Sequence, residues 1–202
     1  MIITADILKQ IAPGSKKSGY KLLAPLADRM NDYFPHYGID TKSEYCHFIA
    51  QAAYETDSFN SLQEYATGDA YDTRVDLGNT PQKDGDGRLY KGRGIFMVTG
   101  AANYTRATIS WNESGRSHVD FRGNPTLLAE PNYAVWSACD YWAHHDFNTI
   151  ANMGDHVLIK VKYQKKIKYI HPVEYITLRI NGGFNGLDER EMFYERCKAI
   201  IN

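Results

Sequence analysis

The chain has 202 residues, 43% hydrophobic and 23% charged, the composition of a soluble globular protein with one good core and too short for two full domains. Its formal net charge of −1 argues against a dedicated nucleic-acid binder, which needs a net basic face. No window approaches the roughly 18 consecutive apolar residues of a membrane span, so no integral membrane association is expected.

Cys46, Cys139 and Cys197 form no CxxC and no short spacing, and are read as reduced, buried thiols. The start, MIITADILKQIAPGSKK, has no basic segment followed by a long apolar one. Synthesis in the cytoplasm without a Sec signal is therefore expected.

In chain order, the first predicted helix is capped by Thr4, carries Ile7, Leu8 and Ile11 at helical spacing, and stops at Pro13-Gly14. A second covers 19–34, with Leu22, Leu23, Leu26 and Met30 on one face, and ends before Pro35. A third begins at Thr41, where T-K-S-E is a capping-box pattern. Its apolar residues Tyr45, Phe48, Ile49, Ala52 and Ala53 recur at i, i+3, i+4, i+7 and i+8. Six glycines and Pro81 mark 66–94 as a long structured loop, a length usually tied to function. An aromatic-rich helical stretch runs from about Asn132 to Ile150 and ends near Gly154. The segment VLIKVKYQKKIKYIHP (157–172) alternates as a hairpin does. A helix then starts behind Pro172 and stops at Gly182-Gly183, and a last one begins near Asp188.

Glu55 and Glu64 lie nine positions apart, which one continuous helix would set on opposite sides. Ser58, Asn60 and Ser61 favour caps and turns, so the third helix should end near Asp57, with Glu55 in its last turn. Glu64, beyond that turn, can then fold back toward Glu55. Glu55 sits at the edge of an apolar stripe and at the negative end of a helix dipole, both of which disfavour a charge there. Glu64, leading into a glycine-rich loop, should be wetter. Two carboxylates in contrasting environments suit acid and base chemistry; on spacing alone, two solvated surface charges are the stronger reading.

Three ordered stretches carry more information: AAYETDSF, then GDAYDTRVDLGNTPQKDGDGRLYKGRGIFMVTGAANY (68–104), then ITLRINGGFNG (176–186). From about Glu44 to Tyr194 the chain resembles glycoside hydrolase family 19, above all its short endolysin-type members. The resemblance implies a mainly α, lysozyme-like fold: a two-lobed single domain over 1–202 with a substrate cleft and a small hairpin insertion at 157–172. It implies Glu55 as general acid, Glu64 as general base, and the Thr99 hydroxyl as a holder of the attacking water. Tyr90, Arg93, Asn103 and Asn181 match sugar-binding positions, and Arg190 the arginine beside the acid. An inverting enzyme should hold its carboxyls roughly 6.5–9.5 Å apart.

The expected substrate is peptidoglycan, with chitin as runner-up and a non-catalytic glycan-binding relative as the alternative outside catalysis. No cofactor, metal or nucleic acid is expected, and the protein should act as a monomer. Reaching a cell wall would require a holin or a secretion system. Departures from the family pattern are Tyr54 where His is common before the acid, Met97 for the usual glutamine, and Asn185 for a glutamate of the plant enzymes.

Other features have plainer readings. Gly92-Arg93-Gly94 lacks the pattern of a phosphate loop and reads as a turn. His144 and His145 point about 100° apart on a helix, without metal-ligand geometry. Cys46 beside His47 reads as a buried thiol rather than a nucleophile–base pair. Lys160, Lys162, Lys165, Lys166 and Lys168 are a solvated face or, alternatively, an attraction to anionic wall polymers or an inner-membrane surface.

Overall fold

The computed structural model describes residues 1–16 and 20–201; the expected helix start at 19 lies outside them. The helices in chain order are α1 (Ala5–Ile11), α2 (Tyr20–Tyr33), α3 (Lys42–Glu55), α4 (Asp86–Leu89) and α5 (Ala101–Glu113), then α6 (Pro131–His144) and α7 (Phe147–Ala151). Strands β1 (Ile159–Tyr163) and β2 (Lys166–Ile170) precede α8 (Pro172–Asn181) and α9 (Leu187–Ile200). The mainly helical class with one small hairpin is as the sequence predicts. The chain divides into two compact units, Met1–Asn60 with Cys139–Asn202, and Ser61–Ala138.

In the first unit, local signals start and stop the helices. The Thr4 side chain accepts the Ile7 amide at the head of α1. Thr41 and Glu44 complete a capping box at the head of α3, satisfying N–H groups that have no partner within the helix. Around α3 every residue from Glu44 to Ala53 is buried, so this is a central helix rather than the one-striped helix its periodicity predicts. It packs most extensively on α9. Phe48 meets the rings of Phe34 at 4.8 Å and Trp142 at 5.2 Å; burying a side chain of this kind is worth about 1.5–3 kcal/mol.

Two polar groups caught inside α3 are treated in opposite ways. Asn152 donates to Glu44, whose other oxygen caps Asp40 and Thr41. His47 is buried with no hydrogen-bond partner on either ring nitrogen, stacked on Tyr194 with centroids 4.2 Å apart. Burial lowers its pKa to about 4. The three cysteines are buried thiols outside any disulfide, as expected, with Cys46 and Cys197 hydrogen-bonded to one another.

The predicted continuous helix over 132–150 is broken. Asp146 takes a left-handed φ of 52° between α6 and α7. The reason is tertiary: Trp142 donates to the Asn148 side chain at 2.7 Å, and Asn148 donates to the carbonyls of Tyr37 and Gly38. The break also buries Phe147 edge-on against Trp142.

The hairpin pairs Ile159 with Ile170 through to Tyr163 with Lys166. Gln164 and Lys165 at its tip both have positive φ, as a tight two-residue connection requires. α8 begins at Pro172 and ends at left-handed Gly182, as predicted.

The second unit is built on α5, the first part of α6 and the long loop. Trp111, Phe121, Tyr133 and Trp136 form its aromatic core, with Trp111 and Trp136 perpendicular at 5.0 Å. The loop is ordered by short 3-10 turns at Asp69–Tyr71 and Val75–Leu77 and by two isolated bridges, Gln63 to Arg93 and Arg93 to Val98.

Candidate active site

Glu55 ends α3, as the turn signals predict. The device that ends the helix is stronger than those signals suggest: Asp57, Ser58 and Phe59 are three consecutive non-glycine residues with left-handed φ of 50°, 59° and 62°. Such residues cost about 1–2 kcal/mol each. They are held by the Thr56 hydroxyl, which donates to Ala52 O and accepts the Phe59 amide, by Ser15 donating to Ser58 O, and by burial of Phe59.

The carboxylate of Glu55 retains 16% side-chain exposure, while its partner Arg190 is fully buried. Arg190 projects from the start of α9, gives one guanidinium nitrogen to Glu55 Oε1 and another to Gln51 Oε1. Gln51 in turn donates to the Thr177 hydroxyl at 3.0 Å. Gln51 and Glu55 are four residues apart on α3 and share a face. The guanidinium also lies 4.1 Å over the Tyr54 ring, a cation–π contact. Burial and the helix dipole, the two influences on Glu55 that the sequence suggests, are thus joined by a cation.

Tyr54, in the position where the family favours His, packs directly on the loop after α8. A Cβ at Gly186, whose φ is 67°, would lie 1.9 Å from the Tyr54 ring; only glycine fits. Asn181, at the end of the same helix, has a side-chain nitrogen that is buried without a hydrogen-bond partner. Such a donor costs about 1–3 kcal/mol unless an acceptor reaches it. An open depression of about 410 Å³ is lined by Ala53, Tyr54, Glu55, Asp57, Ser58, Glu189 and Phe193.

Glu64 is held differently, by the second unit. Its backbone amide donates to Gly92 O at 3.0 Å, and its Oε2 accepts the Gly92 amide at 3.1 Å and the Tyr71 hydroxyl at 3.2 Å. Oε1 is buried without a partner. The pKa of Tyr71 is raised, first by burial and then by the charge of Glu64. A Cβ on Gly92 would stand 2.8 Å from Glu64 Oε2, 3.2 Å from Met97 Cβ and 3.3 Å from Thr99 Oγ1. Glycine is therefore what lets the carboxylate and the Thr99 hydroxyl share one neighbourhood. Thr99 donates to Met97 O at 2.8 Å, and Met97, at the usual glutamine position, has a left-handed φ of 49°.

The remaining predicted residues of this unit brace that arrangement. Arg93 is buried and committed to Gln63 Oε1, Leu89 O and the Tyr104 hydroxyl. Tyr90 is buried against Tyr104, with ring centroids 5.4 Å apart. Burial pushes the Tyr104 phenol up to about 12. Asn103 donates to Thr99 O and accepts from Arg106. The structure thus gathers Glu64, Thr99, Arg93, Tyr90 and Asn103 in one unit, and Glu55, Arg190 and Asn181 in the other.

Sequence reasoning misses Gln51, Tyr71 and Lys91, which donates to the carbonyls of Glu64 and Ala66. Tyr71 and Lys91 lie inside the motifs, but only their long-range partners reveal what they hold. His144 and His145 bond to backbone carbonyls one turn back, and no metal-binding cluster occurs among the described residues. Among those residues no helix is long and apolar enough to cross a membrane.

A Haemophilus influenzae protein described as a glycosyl hydrolase family 19 domain-containing protein is 32% identical over 126 residues, 62% of this chain and 50% of that protein. The chain therefore spans half the length of this curated relative. No protein-family model matches the chain. Chitinase C of Streptomyces griseus shares the fold with a TM-score of 0.62 at 16% identity, covering 98% of this chain and 92% of that one. A bacterial family 19 chitinase matches with a TM-score of 0.60 at 17% identity, covering 99% and 95%. The resemblance read from the motifs thus holds in sequence with one relative and in fold with solved members of the family.

Proposed function

We propose that this chain, family 19-like in motif and in fold, is the catalytic domain of an inverting glycoside hydrolase. It cleaves β-1,4 bonds between N-acetylhexosamines in peptidoglycan, in the manner of an endolysin. One observation carries the reading: the glutamates at the two family positions each sit in a built polar cluster, one on a buried arginine and one on a backbone amide and a tyrosine hydroxyl.

In this reading Glu55 gives its proton to the glycosidic oxygen, and Arg190 stabilises the carboxylate left behind. Glu64 takes a proton from water. Its Oε2 is occupied by Gly92 and Tyr71, and its Oε1, which accepts nothing within the protein, is the oxygen assigned to the water. The Thr99 proton is committed to Met97 O, so the hydroxyl offers a lone pair to the same water and orients it. Arg93, Tyr90 and Asn103 fix the backbone that carries Glu64 and Thr99.

Time-resolved proton NMR of fresh cleavage products tests the mechanism. Displacement by water inverts the anomeric centre, so α product must appear first; a nucleophilic carboxylate would retain β. Initial β-anomer removes Glu64 as base and Thr99 as holder of the water. A specific observation favours a second substrate: the two solved neighbours named above are described as chitinases. Lysis of permeabilised cells measured beside cleavage of chitin oligomers decides between peptidoglycan and chitin.

A further inference from the structure

The hairpin has two unlike faces. Paired residues of an antiparallel ladder share a side, so Ile159, Val161, Tyr163, Lys166, Lys168 and Ile170 lie on one face. Lys160, Lys162, Ile167 and Tyr169 lie on the other. On the first face, Tyr163 meets Phe184 edge-on at 5.1 Å, and the Lys168 ammonium lies 4.9 Å from the Phe184 ring and 5.6 Å from that of Tyr163. Phe184 belongs to the loop that follows Asn181. A Cβ on Gly183 of this loop would be 3.4 Å from the Tyr163 hydroxyl and 3.7 Å from the Asn181 side-chain nitrogen. A phenol, an amide donor buried without a partner and a cation on an aromatic pair therefore border one short stretch of backbone. The same loop reaches Tyr54 through Gly186, and Tyr54 reaches Glu55 through Arg190. None of the ion pairs among the described residues involves Lys168.

We propose that Lys168, Tyr163 and Phe184 form a subsite, contributed by the hairpin, for a carboxylate-bearing N-acetylhexosamine next to Asn181. The inference rests on the glycan-hydrolase reading and sharpens it by naming the substrate feature that is recognised. The chemistry divides by group. Asn181 donates to an acetamido carbonyl, the Tyr163 and Phe184 rings offer apolar surface to a sugar face, and Lys168 meets a carboxylate on the sugar or on a peptide attached to it. A neutral N-acetylglucosamine chain uses the first two and leaves the lysine solvated. An anionic chain uses all three. Selection by charge needs complementarity in place rather than diffuse charge, and the aromatic pair holds the ammonium beside the loop that follows Asn181.

The test is a binding measurement on the Glu55→Gln chain, so that turnover does not consume the ligand. Calorimetry compares two glycans of equal length: an N-acetylglucosamine oligomer, and an alternating N-acetylglucosamine–N-acetylmuramic acid strand with free carboxylates. A methyl-esterified strand is the third probe. Lys168→Gln should lower the preference for the anionic over the neutral glycan about fivefold, the scale of one partly exposed charge contact. Lys168→Arg should restore it, and esterification should remove the preference in the parent chain. Tyr163→Ala and Phe184→Ala should weaken both glycans alike. The double change Lys160→Gln with Lys162→Gln, on the opposite face, should leave the preference unaltered. Equal preference before and after Lys168→Gln overturns the subsite, as does an equal loss from the opposite-face double change, which would mean a diffuse field. Anionic preference lost with Lys168, where the chain with Glu55 intact cleaves neither glycan, would sustain the subsite and sink the hydrolase reading; cleavage by that intact chain without the loss does the reverse.

Discussion

Glu55 and Glu64 are both partly buried carboxylates, yet the two units hold them by different physics. Glu55 ends a helix buried on all sides and is fastened by a fully buried guanidinium, itself tied to Gln51 and stacked on Tyr54. Glu64 lies in bridged loop structure and is fastened by a backbone amide and a phenol, with one oxygen left without a partner. The first arrangement supplies a fixed positive charge that stabilises an anion once it forms. The second supplies neutral dipoles and a spare acceptor. Those are the separate needs of a group that ends its task charged and one that begins it charged.

The largest expected effect tests whether both arrangements serve one reaction. Glu55→Gln and Glu64→Gln should each reduce kcat on glycan by about 10²–10⁴-fold or more, with the fold intact. Added azide should rescue turnover in Glu64→Gln, where it can replace an activated water, and not in Glu55→Gln, where the leaving group still lacks its proton. Half of wild-type activity in either variant would remove that residue from the chemistry.

Next in size is the anchoring charge. Arg190→Met leaves Glu55 without its cation and Gln51 without a donor, and should cost about 3–4 kcal/mol in chemical denaturation, because breaking one side of a buried pair is expensive. A loss below about 1 kcal/mol would show that solvent around Glu55 screens the pair.

His47 shares α3 with Glu55 and gives this unit a pH dependence. Its folded pKa, about 4, lies below its ordinary 6.5. Between these values the unfolded chain binds a proton that the folded chain refuses. Stability is therefore full above about pH 6.5 and is lost as pH falls, by about 3 kcal/mol on reaching pH 4. Melting temperatures across pH 4–7 should show this slope in the wild type and a shallower one in His47→Phe, which keeps a ring for Tyr194 to stack on. Identical slopes would assign the acid sensitivity elsewhere.

The smallest effect on stability belongs to the second unit. Gly92→Ala forces a methyl toward Glu64 Oε2 and Thr99 Oγ1 and should cost about 1–3 kcal/mol. Activity should fall further than stability, through kcat rather than KM, since the displaced groups are those assigned to the water. A variant that loses stability but keeps kcat would separate this neighbourhood from catalysis.

Much of the fold is legible residue by residue. Thr41 and Glu44 announce α3, Pro172 and Gly182 bound α8, and the alternation around Gln164-Lys165 marks the hairpin. The site is legible only through motifs. YKGRG and INGG single out residues, but the periodicity of α3 shows nothing of why Gln51 is buried. The left-handed run at 57–59 and the break at Asp146 are hidden because both are held by distant partners, Ser15 in one case and Tyr37 and Gly38 in the other.

By itself the sequence determined where α1, α3, α8 and the hairpin begin and end, because caps, turns and β-ladder tips are interactions among residues a few positions apart; α5 and the break between α6 and α7 it did not show. It also determined which two glutamates to watch. Tertiary structure alone decided what holds them: Arg190 reaches Glu55 across 135 positions, Thr177 reaches Gln51 across 126, and Gly92 reaches Glu64 across 28. Contacts of that range depend on how whole helices pack and loops close, and no local pattern encodes the partner. The same holds for the Lys168 ammonium, a surface charge in the sequence that packing of the hairpin sets over two rings beside Asn181.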